Sequence, residues 1–103
     1  MTIDKKLENG CLTLTLEGRL DTATSPQLQD VLNPAFDESK EIILDFAGLA
    51  YVSSAGLRVL LMGQKTAQAK EVSMKLCNVS DDIMEVFEMT GFSDILTFCE
   101  RRQ

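Results

Sequence analysis

Leu12, Leu14 and Leu16 alternate with Cys11, Thr13 and Thr15, the two-residue period of a strand with one apolar face. Thr2 to Leu7 reads as a weaker strand before it, and Asn9-Gly10 between the two is a short-range hairpin signal. Gly18 to Thr22 is expected to turn the chain into a first helix. Thr24 or Ser25 would cap that helix, and Pro26 would sit in its first turn, where a missing N–H leaves nothing unpaired. Leu28, Val31, Leu32 and Ala35 then recur at helical spacing. Asn33-Pro34 is expected to kink or end this helix, because proline lacks the N–H that the ladder needs.

Asp37 to Lys40 reads as a polar loop, and Glu41 to Phe46 as a β-branched apolar run suited to a buried central strand. The strand is expected to end at Phe46, with a loop over Ala47 to Ala50. A second helix follows from about Ser54 to Lys70, with Leu57, Leu60 and Leu61 as its inward stripe. Alternation returns from Val72 to Val79. Ser80 would cap a third helix whose first turn carries Asp81 and Asp82, in keeping with the helix dipole. Ile83, Val86 and Phe87 form its apolar stripe, and Gly91 is its natural stop. Ile95 to Cys99 reads as a final strand and Glu100 to Gln103 as a frayed tail. Strands that alternate with helices after an opening hairpin imply parallel pairs joined by crossovers. The expected fold is therefore α/β, one domain over residues 1–103, with a mixed sheet of about four to five strands and helices packed on it.

Composition narrows what such a domain can do. The 103 residues are 45% hydrophobic and 25% charged, ordinary for a globular chain. Sixteen acidic and ten basic residues give a net charge of −6, which opposes phosphate backbones and anionic lipid surfaces and favours a basic partner surface. No apolar run approaches the roughly 18 to 20 residues of a membrane span, and no charged-then-apolar leader opens the chain. A cytoplasmic monomer is expected. Cys11, Cys77 and Cys99 are widely spaced and no histidine is present, so neither a zinc set nor a Ser-His or Cys-His pair can be assembled. The cysteines read as small core or sheet residues. Neither G-x-x-x-x-G-K nor G-x-G-x-x-G occurs, so no cofactor is expected. A receiver-like enzyme would need an acidic cluster for Mg²⁺, and Asp21 and Asp45 are too few.

The chemistry concentrates in Tyr51 to Met62, where Ser53 and Ser54 stand at a strand-to-helix junction. Either serine can cap the helix, its oxygen accepting a backbone N–H of the first turn. Either can also accept a phosphoryl group, which would add about −1.5 to −2 charges beside amide donors and the positive end of a helix dipole. Gly56 is disfavoured inside a helix and implies close backbone approach or open space beside the serines. Val59 and Met62 fall off the inward stripe. They are either buried under the Ala47–Ala50 loop or, with Arg58, part of a partner-binding surface.

Ile42-Ile43-Leu44-Asp45-Phe46, Leu49, Tyr51-Val52 and Ser53-Ser54-Ala55-Gly56-Leu57 together resemble the signature of the STAS domain of bacterial anti-sigma-factor antagonists. That signature is a hydrophobic strand, a short turn, then Asp-Ser-Ser/Thr-Gly-Leu. Gly18-Arg19-Leu20-Asp21 is similar to the family's Gly-x-Leu-Asp segment. Val86-Phe87-Glu88-Met89-Thr90-Gly91-Phe92 is similar to its late helix and Ser/Thr-Gly-Leu/Phe. The likeness runs from about Leu12 to Phe98. It departs at Ser53, where the family has Asp, and at Ala55, where a second Ser or Thr is common. The additional helix frequent in the family after this point is not expected in this chain.

The resemblance implies a regulator and not an enzyme. Ser54 takes the phosphoacceptor position, with Ser53 as the alternative, and Asp21, Asp45, Ser53 and Gly56 lie close by. Ser54, Arg58, Val59 and Met62 would form the contact surface. The unphosphorylated form would bind a serine kinase that doubles as an anti-sigma factor. Phosphorylation would end that contact, and a metal-dependent serine phosphatase would restore it. A second expectation, favoured by the missing Asp at position 53, is an unphosphorylated STAS accessory subunit of a transporter ATPase. On the residues alone, Asp21 reads equally as a turn residue and Asp45 as a strand-end acceptor.

Overall fold

The leucine alternation builds the strand at the heart of the sheet. In the computed structural model, which describes residues 1–99, β1 (Thr2–Glu8) and β2 (Cys11–Leu20) form an antiparallel hairpin. Asn9 and Gly10 between them have φ of 53° and 81°, the left-handed pair that a tight two-residue hairpin turn demands. The chain continues through α1 (Ser25–Glu38), β3 (Glu41–Val52), α2 (Ser54–Ala69), β4 (Ser73–Cys77) and α3 (Asp81–Thr90), ending in a 3-10 turn at Phe92–Asp94. The sheet order is β1-β2-β3-β4, with β2–β3 and β3–β4 parallel. This is the expected α/β fold, a four-stranded mixed sheet with three packed helices.

One face of the sheet carries Leu12, Leu14, Leu16, Ile42, Leu44, Phe46, Met74 and Leu76, all buried. They pack against Leu28 and Leu32 of α1, Leu60 and Ala67 of α2, and Ile83 and Phe87 of α3. Gly63 lets α2 come close: a Cβ there would stand 2.8 Å from Leu32 Cδ2. Thr13, Thr15, Ile43, Asp45 and Lys75 on the opposite face are only half-buried.

Several boundaries differ from expectation. β2 runs on through Gly18 to Leu20 instead of turning, and β3 runs to Val52 instead of ending at Phe46. The Ala47–Ala50 segment is strand, interrupted by two register shifts against β2. Each shift adds one residue to β3, so its buried positions fall at Phe46, Leu49 and Val52, a three-residue spacing that hides the strand from a period-two reading. Pro34 lies inside α1 without ending it. Its position is exposed, so water can serve the Asp30 carbonyl it leaves unpaired, while buried Ala35 and Phe36 hold the last turn on the core.

The final strand reduces to a bridge between Phe98 and Leu76. Backbone bonds from Ile95 and Leu96 to the Phe92 carbonyl keep the chain turned until Leu96, leaving too few residues for a ladder. That bridge sets Cys99 beside Cys77, and the two are joined as a disulfide with Cα atoms 5.1 Å apart, a link that the reading of the cysteines as small core or sheet residues did not include, although Cys11 and Cys77 do lie on β2 and β4. Cys11 remains a single half-buried thiol. Burial, then the Glu41 carboxylate beside it, pushes this thiol's pKa up and makes it a poor nucleophile. The tail expected at Glu100 to Gln103 lies outside the described residues.

Candidate functional site

Parallel pairing brings the ends of β2 and β3 together: Leu20 is opposite Val52, and the Ser53 N–H donates to the Leu20 carbonyl at 2.9 Å. Ser53 is extended (φ −93°, ψ 177°) and is the N-cap of α2, its Oγ accepting the Gly56 N–H at 3.3 Å. The Leu57 N–H donates to its carbonyl at 2.9 Å. Ser54 is the first helical residue. It is exposed, and among the described residues its hydroxyl makes no hydrogen bond. Capping is thus the work of one serine and leaves the other open. Gly56 serves close approach, since a Cβ would lie 2.7 Å from Leu20 Cγ and 3.1 Å from the Leu20 carbonyl oxygen. No larger residue lets the start of α2 rest on the end of β2 without displacing Leu20.

Asp21 follows Leu20 and therefore sits beside this junction. Its Oδ1 accepts the N–H groups of Ala23 and Thr24, each at 3.1 Å, and the Thr24 hydroxyl at 3.2 Å. The Thr24 N–H, followed by the Thr24 hydroxyl, the Ala23 N–H and the Arg19 guanidinium, holds the Asp21 carboxyl below its ordinary pKa. Asp21 orders the turn into α1 with its own donors. Asp45 lies elsewhere. It is opposite Cys77 on the half-exposed sheet face, where its Oδ1 accepts the Ala47 N–H and the Asn78 amide, each at 3.0 Å. Seven residues of β3 separate it from Ser53, about 20 Å of extended chain. The structure does not bring it to the serines.

Between the first turns of α1 and α2 opens a cleft of about 350 Å³, lined by Thr22, Ser25, Pro26 and Gln29 on one side and Ser54, Ala55, Arg58 and Val59 on the other. Val59 is half-buried in this wall, while Arg58 and Met62 are exposed. Ser54, Arg58, Met62 and Lys65 form one outward stripe of α2. Met62, 55% exposed, is not buried under the Ala47–Ala50 segment. Sequence reasoning missed the α1 wall of this cleft, because polar positions on an amphipathic helix carry no mark of what they face. It also missed the pair formed by Arg19, whose guanidinium lies 4.3 Å from the Tyr51 ring centroid. That pair depends on the second register shift, which sets Arg19 opposite Tyr51. A wider hollow of about 760 Å³ opens near Gly10, Phe36, Ser39 and Lys70, at the other ends of the strands. Lys70 there is already engaged by Asp37 at 2.8 Å.

The STAS domain profile matches residues 2–103, and the chain belongs to that family. The Bordetella bronchiseptica protein BtrV, assigned as an anti-sigma factor antagonist, is 34% identical over 104 residues, covering 100% of this chain and 88% of that one. The anti-sigma-B factor antagonist of Bacillus subtilis is 25% identical over 96 residues, covering 93% of this chain and 88% of that one. The phosphorylated form of the Bacillus cell fate determinant SpoIIAA superposes with a TM-score of 0.73 at 19% identity, over 97% of this chain and 93% of that one, a likeness of fold.

Proposed function

We propose that this protein is an anti-sigma factor antagonist that works as a phosphorylation-controlled binding switch and not as an enzyme. Unphosphorylated, it binds a serine kinase that doubles as an anti-sigma factor, through Ser54, Arg58, Val59 and Met62. The kinase transfers the γ-phosphoryl group of ATP to Ser54 Oγ, ADP leaves, and the hydroxyl proton passes to a base of the kinase. Charge and volume added at the contact surface then oppose docking, because a phosphate is costly to desolvate in an interface. A metal-dependent serine phosphatase returns serine and inorganic phosphate. Relatives named as anti-sigma factor antagonists support the binding role, and a phosphorylated SpoIIAA lends support to the switch.

The observation that carries the choice of residue is the division of labour at the junction: Ser53 caps α2 while Ser54 stands exposed at the mouth of the cleft. The test is mass spectrometry of the protein from its native cell, before and after treatment with a serine phosphatase. One phosphate on the Tyr51–Arg58 peptide, absent from S54A, is the expected result. A chain that never carries phosphate and co-purifies with a transporter ATPase is instead the accessory subunit.

A further inference from the structure

A phosphoryl group on Ser54 would arrive one helical turn from Arg58, on the same exposed stripe of α2 and at the same cleft. Side chains four apart on a helix are neighbours, and a helical side chain tends to lean toward the N-terminus, so a guanidinium at position 58 is within reach of a group on Ser54. Arg58 is the one charged residue among the described residues lining the cleft. The ion pairs of the described residues engage Lys5, Lys6, Arg19 and Lys70, and none engages Arg58. The first turn of α2 holds no acid. In particular, position 53 carries a hydroxyl whose oxygen accepts the Gly56 N–H, so the residue before Ser54 supplies no carboxylate to compete for a cation. The other cation near the junction, Arg19, is stacked on Tyr51 and lies 3.9 Å from Asp21. Asp21 in turn spends its Oδ1 on Ala23 and Thr24.

We infer that Arg58 is the residue through which this site reads its own phosphorylation: the Ser54 phosphate draws the Arg58 guanidinium into an intrahelical ion pair. A guanidinium presents paired donors that match two phosphate oxygens. Phosphorylation therefore changes the surface twice. It adds a dianion at Ser54, and it takes the one cation that the described residues place at the cleft out of reach of a partner. The inference rests on the reading of Ser54 as the phosphoacceptor and deepens it by naming the residue that responds.

The experiment is a ³¹P NMR pH titration of the full chain with phosphoserine inserted at position 54 during translation, so that no kinase is needed. A neighbouring cation favours the dianion and lowers the phosphate's second pKa. The phosphate with Arg58 present is expected to titrate roughly 0.3 pH unit below that of R58A, the equivalent of an exposed four-apart helical pair. R58K retains part of the difference, R19A behaves like the parent, and concentrated salt shrinks the gap. Coincident titrations of the parent and R58A overturn the inference, as does a shift abolished equally by R19A. Failure of the underlying reading shows separately, as absence of phosphate on Ser54 in native cells, which leaves this titration untouched.

Discussion

At the scale of single residues, the junction is fixed by contacts too short to allow exchange. The Gly56 Cα lies where any added carbon would press on the Leu20 side chain and carbonyl. G56A should therefore lose stability by about 1–3 kcal/mol despite the better helix propensity of alanine, measured as a lower urea midpoint with unchanged slope. Asp21 gives a pH signature. Its pKa is lowered in the folded state, so its contribution is fully present above the unfolded value of about 3.9 and disappears as pH falls through the folded value. Urea midpoints recorded down through that range should fall less steeply for D21N than for the parent. D21A, which removes the acceptor of the Ala23 and Thr24 N–H groups, should be less stable at neutral pH as well. Both serines and Gly56 were legible in the sequence because each has a local reason to be there. Which serine caps and which stands free was not, because that depends on where β3 ends.

At the scale of elements, the three helices and the hairpin follow local rules and were readable: an Asn-Gly turn, Ser80 accepting the Ile83 N–H at 3.2 Å, and Gly91 at φ 82° closing α3. The elements misjudged were those in which a non-local partner outweighs the local signal. β3 is long because β2 lies beside it through both register shifts, and α1 passes Pro34 because Ala35 and Phe36 are buried. Proline still carries its cost in a helix interior, a lost hydrogen bond and a clash with the preceding turn. P34A is accordingly expected to stabilise the protein by roughly 1–3 kcal/mol, less whatever the freer unfolded chain returns, with a rise in melting temperature as the readout. A midpoint that falls instead would mean that α1 does not continue through residue 34.

At the scale of the whole molecule, the C-terminal segment is held to the sheet by few groups. Buried Leu96 and half-buried Phe98, whose ring centroid is 5.9 Å from that of Phe87, provide the packing, and the Cys77–Cys99 bond provides the covalent tie. Closing a loop with a sequence separation of 22 restricts the unfolded chain by about 3 kcal/mol in the loop-entropy account. Thiol reduction should lower the urea midpoint of the oxidised protein by a corresponding amount. C99S should match the reduced parent, and C11S should leave the midpoint in place. Equal midpoints with and without reductant would show that the packing of Leu96 and Phe98 and the backbone bridge to Leu76 hold the segment without the covalent tie.

Legible in the sequence alone were the α/β class, the order of the elements from β1 to α3, the apolar faces of β2 and β4, and the presence of a serine pair at a helix start. These follow from periodicity and capping, which act between residues a few positions apart. Only the tertiary structure decided the length of β3, the pairing of Cys77 with Cys99, and the membership of the site. It brought the α1 wall to Ser54, set Asp21 just past the end of β2 with its carboxylate engaged by Ala23 and Thr24, and left Asp45 about 20 Å of strand away. Those outcomes rest on the register between β2 and β3 and on the packing of α1 against α2, contacts between residues far apart in the chain whose geometry no local pattern encodes.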